Sequence, residues 1–146
     1  SDPDSHRDET TDGMDIELCS IDMNAREVQF SSALRHLIII SDNKMEKING
    51  DKFPIGGAQL DTERIFSNHL KRLKKGDMLY MFSDGYADQF GGERGKKFMI
   101  KKLHETLLSV NILPMKEQRV LLEKALEDWK GNHSQVDDVL VIGIRI

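Results

Sequence analysis

Two unbroken apolar runs, each joined to an acidic turn, constrain this chain of 146 residues more than any other feature. Met78-Leu79-Tyr80-Met81-Phe82 runs into Ser83-Asp84-Gly85, and Val136-Asp137-Asp138 runs into Val139-Leu140-Val141-Ile142-Gly143-Ile144. Runs of that length bounded by turn residues read as fully buried strands. Paired antiparallel, they bring the end of one beside the start of the other. Asp84 and Asp137 then meet at one edge of a sheet. Carboxylates gathered there repel unless a cation joins them, and hard oxygen donors suit Mg²⁺ or Mn²⁺. Adjacent strand residues point to opposite faces, so only one of Asp137 and Asp138 easily joins Asp84. The plainer reading is that Asp84-Gly85 is a turn and Asp137-Asp138 a solvated strand entry.

The length fits one domain. Charged residues make up 32% and the net charge is −4, which excludes the electrostatic footprint of a nucleic-acid partner. The lone Cys19 excludes a disulfide framework and suits a reducing compartment. No apolar stretch approaches the roughly 18 residues of a membrane span, so this segment is expected to make no membrane contact. The chain opens Ser-Asp-Pro-Asp without an initiator Met and is read as a piece of a longer protein.

Residues 1–12 are acidic and aperiodic and read as a flexible or loop segment, with one domain over residues 13–146. Met14, Ile16 and Leu18 alternate with polar neighbours as a half-buried strand. Strands follow from Glu27 to Ser31, over Leu37–Ile40 and over Met45–Ile48, with turns at Asp22–Arg26, Ser41–Lys44 and Asn49–Asp51. Phe53–Gly57 reads as a structured loop, Arg64–Leu73 as a strand, and Gly91–Gly95 as a flexible surface loop. Helices are expected over Lys96–Val110 and, after Pro114, along the stripe Leu122, Ala125, Leu126 and Trp129, ending at Gly131. A last strand covers Asp138–Ile146. Strands, two helices and a strand predict an α+β domain on an antiparallel sheet.

Other chemistries fail on spacing. Asp8, Thr10, Asp12 and Gly13 mimic part of a calcium loop, but Cys19 stands where a bidentate Glu is needed. The His residues lack zinc spacing. Gly91–Gly95 matches no phosphate-cradling motif, and no nucleophile elbow surrounds a serine.

Gly76 to Phe90, with Ser83-Asp84-Gly85-Tyr86-Ala87-Asp88 at its centre, resembles the central motif of the SpoIIE-like serine phosphatases. These belong to the metal-dependent (PPM, phosphatase 2C-like) superfamily. Gln135 to Gly143 is similar to their carboxy-terminal Asp-Asp motif, and Asp12–Cys19 and Phe53–Gly57 fit the bacterial sensor-linked branch. The resemblance implies an antiparallel β-sandwich flanked by helices. It implies hydrolysis of phosphoserine or phosphothreonine on a protein by two Mn²⁺ or Mg²⁺ ions, held mainly by Asp carboxylates, with a bridging water attacking phosphorus. Asp84 and Asp137 are the ligands it carries over, with Asp138 ranked behind Asp137. It also implies a partner such as a phosphorylated STAS-type anti-anti-sigma factor. The place is then the cytoplasm, or the cytoplasmic side of a membrane-bound sensor.

The family's earlier Gly-Gly-Asp and Gly-Asp…Gly-His-Gly segments do not occur here, and Ser31–His36 departs from the usual Ala-Gly-Ala pattern. The chain is therefore expected to be the carboxy-terminal portion of an incomplete domain, with weak metal affinity and little or no activity. The alternative is a non-catalytic phosphatase-like interaction module. Missing strands leave sheet edge and core surface exposed, so the chain is expected to self-associate as a homodimer. Light scattering at high concentration tests this, and a monodisperse monomer would count against it.

Overall fold

The computed structural model describes residues 12–57 and 63–146. Asp8 and Thr10, and all of the expected tail except Asp12, lie outside the described residues. The chain divides into two compact units, Ser1–Leu37 with Ile48–Arg72, and Ile38–Lys47 with Leu73–Ile146. Both are built on antiparallel strands, and the described helices all fall in the second, between the Met78–Phe82 strand and the last strand, as an α+β reading requires.

In the first unit, β1 (Gly13–Met14) is followed by β2 (Ile16–Asp22) and β3 (Glu27–Ala33). The turn between β2 and β3 is held by Asp22, whose carboxylate accepts from the Asn24 and Ala25 N–H groups at 2.9 and 2.8 Å. β2 alternates as expected, but the expected face is wrong: Ile16 and Leu18 are exposed while Glu17, Cys19 and Ile21 are half-buried. Register explains the inversion. Glu17 lies opposite buried Ser32, Cys19 opposite Phe30 and Ile21 opposite Val28. The pairing partner, not β2's own apolar residues, chose the buried face. Phe53–Gly57 is less of a loop than expected, because Ile55–Gly56 pairs with β1 as β6. Only His69–Arg72 (β7) of the expected strand over Arg64–Leu73 is extended and paired, beside β3.

The second unit carries most of the core. The sheet runs β11-β8-β4-β5, where β4 is His36–Ser41, β5 Lys44–Asn49, β8 Met78–Phe82 and β11 Val141–Arg145. β4 and β5 meet through Asp42 and Asn43 at φ 50° and 59°, the backbone that a tight hairpin needs and these residue types tolerate. Ile38, Ile40, Met78, Tyr80 and Phe82 form one apolar cluster with Leu103 and Leu107 of α2 (Ile100–Val110) and Leu122 of α3 (Met115–Lys130). Each fully buried aliphatic side chain there contributes roughly 1.5–3 kcal/mol. Pro114 starts α3, and Gly131, at φ 52°, ends it by donating to the Glu127 carbonyl at 3.0 Å. No described helix is long and apolar enough to cross a membrane.

Several boundaries move. The first helix starts at Ile100 rather than Lys96, because Lys96–Lys97 (β10) pairs with Phe90–Gly91 (β9). The expected loop Gly91–Gly95 is therefore a hairpin. A Cβ on Gly91 or Gly92 would collide with Trp129, so the glycines let the turn lie against that ring and its carbonyl. The last strand starts at Val141, not Asp138, and is an edge strand that is mostly half-exposed, with Ile142 40% accessible.

Inside the second unit a buried amide ties these layers. Gln118 is 2% exposed. Its oxygen accepts from Tyr80 Oη at 2.6 Å, and its nitrogen donates to the Asn111 and Leu113 carbonyls at 3.0 and 2.9 Å. Arg145 of β11 donates to the same two carbonyls at 2.7 and 2.6 Å. The loop between the helices is thus satisfied from both sides.

One feature of the first unit sets a pH dependence. A carboxylate oxygen of Glu17 is buried without a hydrogen-bond partner. Burial pushes the Glu17 carboxyl up to about 7, against a smaller opposing pull from Arg35. The folded state therefore holds this proton more tightly than the unfolded state. The stability it carries is complete below about 4.5 and is lost as pH rises through about 7. Glu17→Gln should raise stability at pH 8 by about 1–2 kcal/mol, allowing for partial exposure, and flatten the profile between pH 5 and 8. Parallel urea-melt profiles of the two proteins would refute this.

Candidate functional site

The acidic corner is built where β8 stops. Phe82 is the last paired residue of β8, opposite Val141 of β11. Beyond it Ser83 continues the pairing with its side chain as well as its backbone. The Ser83 N–H donates to the Leu140 carbonyl at 3.0 Å. The Ser83 hydroxyl donates to the Asp138 carbonyl at 2.8 Å, and the Leu140 N–H donates back to that hydroxyl at 2.9 Å. One short side chain thus fixes two backbone groups of the 138–140 segment, and its own N–H a third.

Asp84 follows as the N-cap of a short helix, α1 (Gly85–Asp88), where a simple turn was expected. The chain turns into that helix at Gly85, which is buried. A Cβ there would strike the Asp138 carbonyl, so glycine is what allows the Asp137–Asp138 main chain to lie against α1. The backbone that carries Asp84 and the backbone of Asp137–Asp138 therefore run side by side at one end of the sheet. All three acids are exposed. Asp137 Oδ1 accepts from the Asp138 N–H at 2.7 Å, and the Asp137 carbonyl accepts from Gln135 Nε2 at 2.8 Å, which settles the local turn.

A residue that sequence reasoning passed over, Gln89, holds the far side of the corner, together with Trp129. Gln89 is completely buried. It donates through Nε2 to the Phe90 and Ser134 carbonyls, both at 2.9 Å, and so ties the end of α1 to the segment leading into Asp137. Trp129 Nε1 donates to the Gln89 carbonyl at 3.1 Å, anchoring the same point to the end of α3. A polar residue between Asp88 and Phe90 carries no periodic signal, so only the fold reveals it. Tyr86 of α1 packs edge-on against Phe98, with ring centroids 5.1 Å apart, and its hydroxyl donates to the Leu122 carbonyl at 2.7 Å. Burial pushes the Tyr86 phenol up to about 12, so it stays a neutral donor.

The three acids supply hard carboxylate oxygens, the donor type that Mg²⁺ and Mn²⁺ prefer. Their number falls short: among the described residues no group of three or more His, Cys, Asp or Glu side chains is placed to hold a metal ion. This donor set does not by itself make a metal centre.

The sequence model of the family described as Stage II sporulation protein E (SpoIIE) matches residues 6–146. Among solved structures, the chain is similar to the SiaA-PP2C domain of Pseudomonas aeruginosa, with 26% identity and a TM-score of 0.81. That match covers 90% of this chain and 51% of the other. It is also similar to the PP2C phosphatase domain and regulatory fragment of SpoIIE from Bacillus subtilis, at 21% identity and a TM-score of 0.70, covering 90% of this chain and 37% of that one. RsbX in complex with magnesium matches at 15% identity and a TM-score of 0.54, over 90% of this chain and 55% of that one. The last two likenesses speak for the fold alone. The chain spans about half the length of the SiaA chain it matches. A search of curated protein sequences finds no match.

The Gly85 contact yields a direct test. Gly85→Ala should push the Asp138 main chain away and cost about 1–3 kcal/mol of stability, as overpacking of a tight contact does. Urea denaturation reads this, and an unchanged midpoint would show that the corner is loose.

Proposed function

Because the chain belongs to the stage II sporulation protein E family, we propose that it forms part of a metal-dependent protein serine/threonine phosphatase in a bacterial signalling protein. The substrate class is phosphoserine or phosphothreonine on a partner protein, such as a STAS-type anti-anti-sigma factor. The observation that carries this reading is the corner itself. Ser83 and Gly85 hold the Asp137–Asp138 main chain against the helix that Asp84 caps, so acids distant in sequence are brought together at a sheet end.

Within that reading, Asp84 and Asp137, with Asp138 beside them, supply carboxylates for Mn²⁺ or Mg²⁺. Among the described residues these acids are not placed as a group of three that could hold an ion, a shortage of convergent donors. The ions are therefore held weakly, and phosphate esters turn over slowly or not at all. The same shortage supports a second reading, a non-catalytic phosphatase-like module that binds a partner. The two readings part on whether a complete set of acids is present in the longer domain.

Two measurements on this chain test the assignment. Calorimetric titration with Mn²⁺ should give a roughly millimolar affinity, in keeping with few carboxylate ligands, that Asp84→Ala and Asp137→Ala each remove. Hydrolysis of p-nitrophenyl phosphate with Mn²⁺ should stay at background. Binding that both substitutions leave intact would sink the metal role, and brisk turnover abolished by Asp84→Ala would overturn the proposed inactivity.

A further inference from the structure

Charge on this molecule is unevenly distributed. The whole chain carries −4, yet from Arg94 to His104 there are five cations and no carboxylate. The fold gathers those cations. Arg94, Lys96 and Lys97 lie on the β9–β10 hairpin, and Lys101 and Lys102 in the first turn of α2, a turn without an acid; Glu93 and Glu105 flank the run. Lys97 is engaged by Asp88 at 3.1 Å, and Lys102 lies over the Trp129 ring at 3.7 Å from its centroid. Arg94, Lys96 and Lys101 are exposed and face water.

This surface is rigid and partly apolar. Gly91 and Gly92 abut Trp129, and Phe98 is 2% exposed. Met99 is held at φ 78°, a backbone region that L residues rarely adopt. The Met99 N–H donates to the Ala87 carbonyl at 2.8 Å, and the Phe98 N–H to the Gln89 carbonyl at 2.9 Å. With the backbone fixed this way, the Phe90, Met99 and Ile100 side chains stand 39%, 58% and 38% exposed among the cations. Like charges crowded on a fixed surface are mutually unfavourable, and the strain at Met99 adds to that cost. An anionic partner relieves the repulsion, and the apolar side chains give it area to bury.

The position gives the surface a purpose. The hairpin hangs from α1, whose N-cap is Asp84, through the Ala87 and Gln89 carbonyls. Gln89 in turn bonds the Ser134 carbonyl in the segment that leads to Asp137. A polypeptide lying on the hairpin is thus held at a fixed offset from the acidic corner. We infer that the basic hairpin and first turn of α2 form a docking surface for an acidic segment of the partner protein. The purpose assigned to it, presenting a phosphorylated residue to the corner, rests on the phosphatase reading; the binding does not. An acidic protein is favoured over a lipid surface because the exposed apolar side chains lie interleaved with the cations on a short rigid hairpin rather than along one face of an amphipathic helix.

The test separates docking from catalysis by using a phosphate-free probe. A fluorescein-labelled serine peptide flanked by glutamates is titrated against the full chain by anisotropy, beside the same peptide flanked by lysines. The glutamate-flanked peptide should bind at least about tenfold tighter. That preference should fade as ionic strength approaches about 1 M, where the screening length is about 3 Å. Arg94→Glu, Lys96→Glu and Lys101→Glu combined should abolish it. Lys101→Glu alone places an acid in the first turn of α2, where it favours the helix, and should weaken binding severalfold while keeping the fold. Asp84→Asn should bind the peptide normally, so loss of the phosphatase reading would appear only in turnover. Equal binding of the two peptides, no binding of either, or an unchanged preference in the triple variant overturns the proposal. So does a wild-type chain that ignores the peptide but binds phosphatidylserine vesicles.

Discussion

A serine hydroxyl placed one residue past the end of a buried strand governs the arrangement of the acidic corner. Backbone pairing between β8 and β11 ends at Phe82 and Val141, and an edge strand normally frays beyond its last partner. Ser83 prevents this by accepting from the Leu140 N–H and donating to the Asp138 carbonyl. The segment carrying Asp137 and Asp138 is irregular backbone, yet these groups are satisfied as they would be in a sheet. The cost of gathering like charges is kept low by leaving all three carboxylates in water. The hydrogen bonds of Ser83 organise this corner together with the Asp137 carboxylate, which accepts from the Asp138 N–H.

A second layer of polar contacts makes that corner rigid. Gln118 and Arg145 satisfy the Asn111 and Leu113 carbonyls from opposite sides, while Gln89 and Trp129 fasten α1 to the segment after α3. These groups lie within or beside an apolar cluster, where a lost partner costs about 1–3 kcal/mol. Gln89, buried between α1 and Ser134, ties the Asp84 helix to the segment that leads to Asp137, so a change there is felt in both stability and the geometry of the corner.

Much of this was legible in the sequence where local pattern and tertiary environment agree. The Met78–Phe82 run is buried because both its neighbours in the sheet and the two helices cover it. Pro114 and Gly131 bracket α3 by their backbone preferences alone. The pattern failed where partners decide. Ile16 and Leu18 face outward because β3 sets the register, leaving Glu17 on the buried side with a perturbed carboxyl. Val139–Ile144 is as apolar as the earlier run but forms an edge strand, so its residues are only half covered. Lys96–Lys97 pairs as a strand because Gly91 and Gly92 can approach Trp129, a contact that periodicity does not encode. Asp84, Asp137 and Asp138 stand out in the sequence because the ends of apolar strands carry a positional signal. Ser83, Gln89 and Gly85 act through backbone contacts to distant segments, which their spacing does not encode.

The hairpin beside the corner shows how these two kinds of information combine. A run of lysines reads from sequence as a solvated helix start. In the fold the same run is pinned to α1 by backbone bonds from Phe98 and Met99, so its charge has a fixed position relative to Asp84. Positive potential next to a cluster of carboxylates has two electrostatic effects. It reduces the repulsion among the acids, and it attracts an anionic chain to a place that the acids alone would repel. Arg94, Lys96 and Lys101 of this run are exposed, while Lys97 pairs with Asp88 and Lys102 lies over the Trp129 ring.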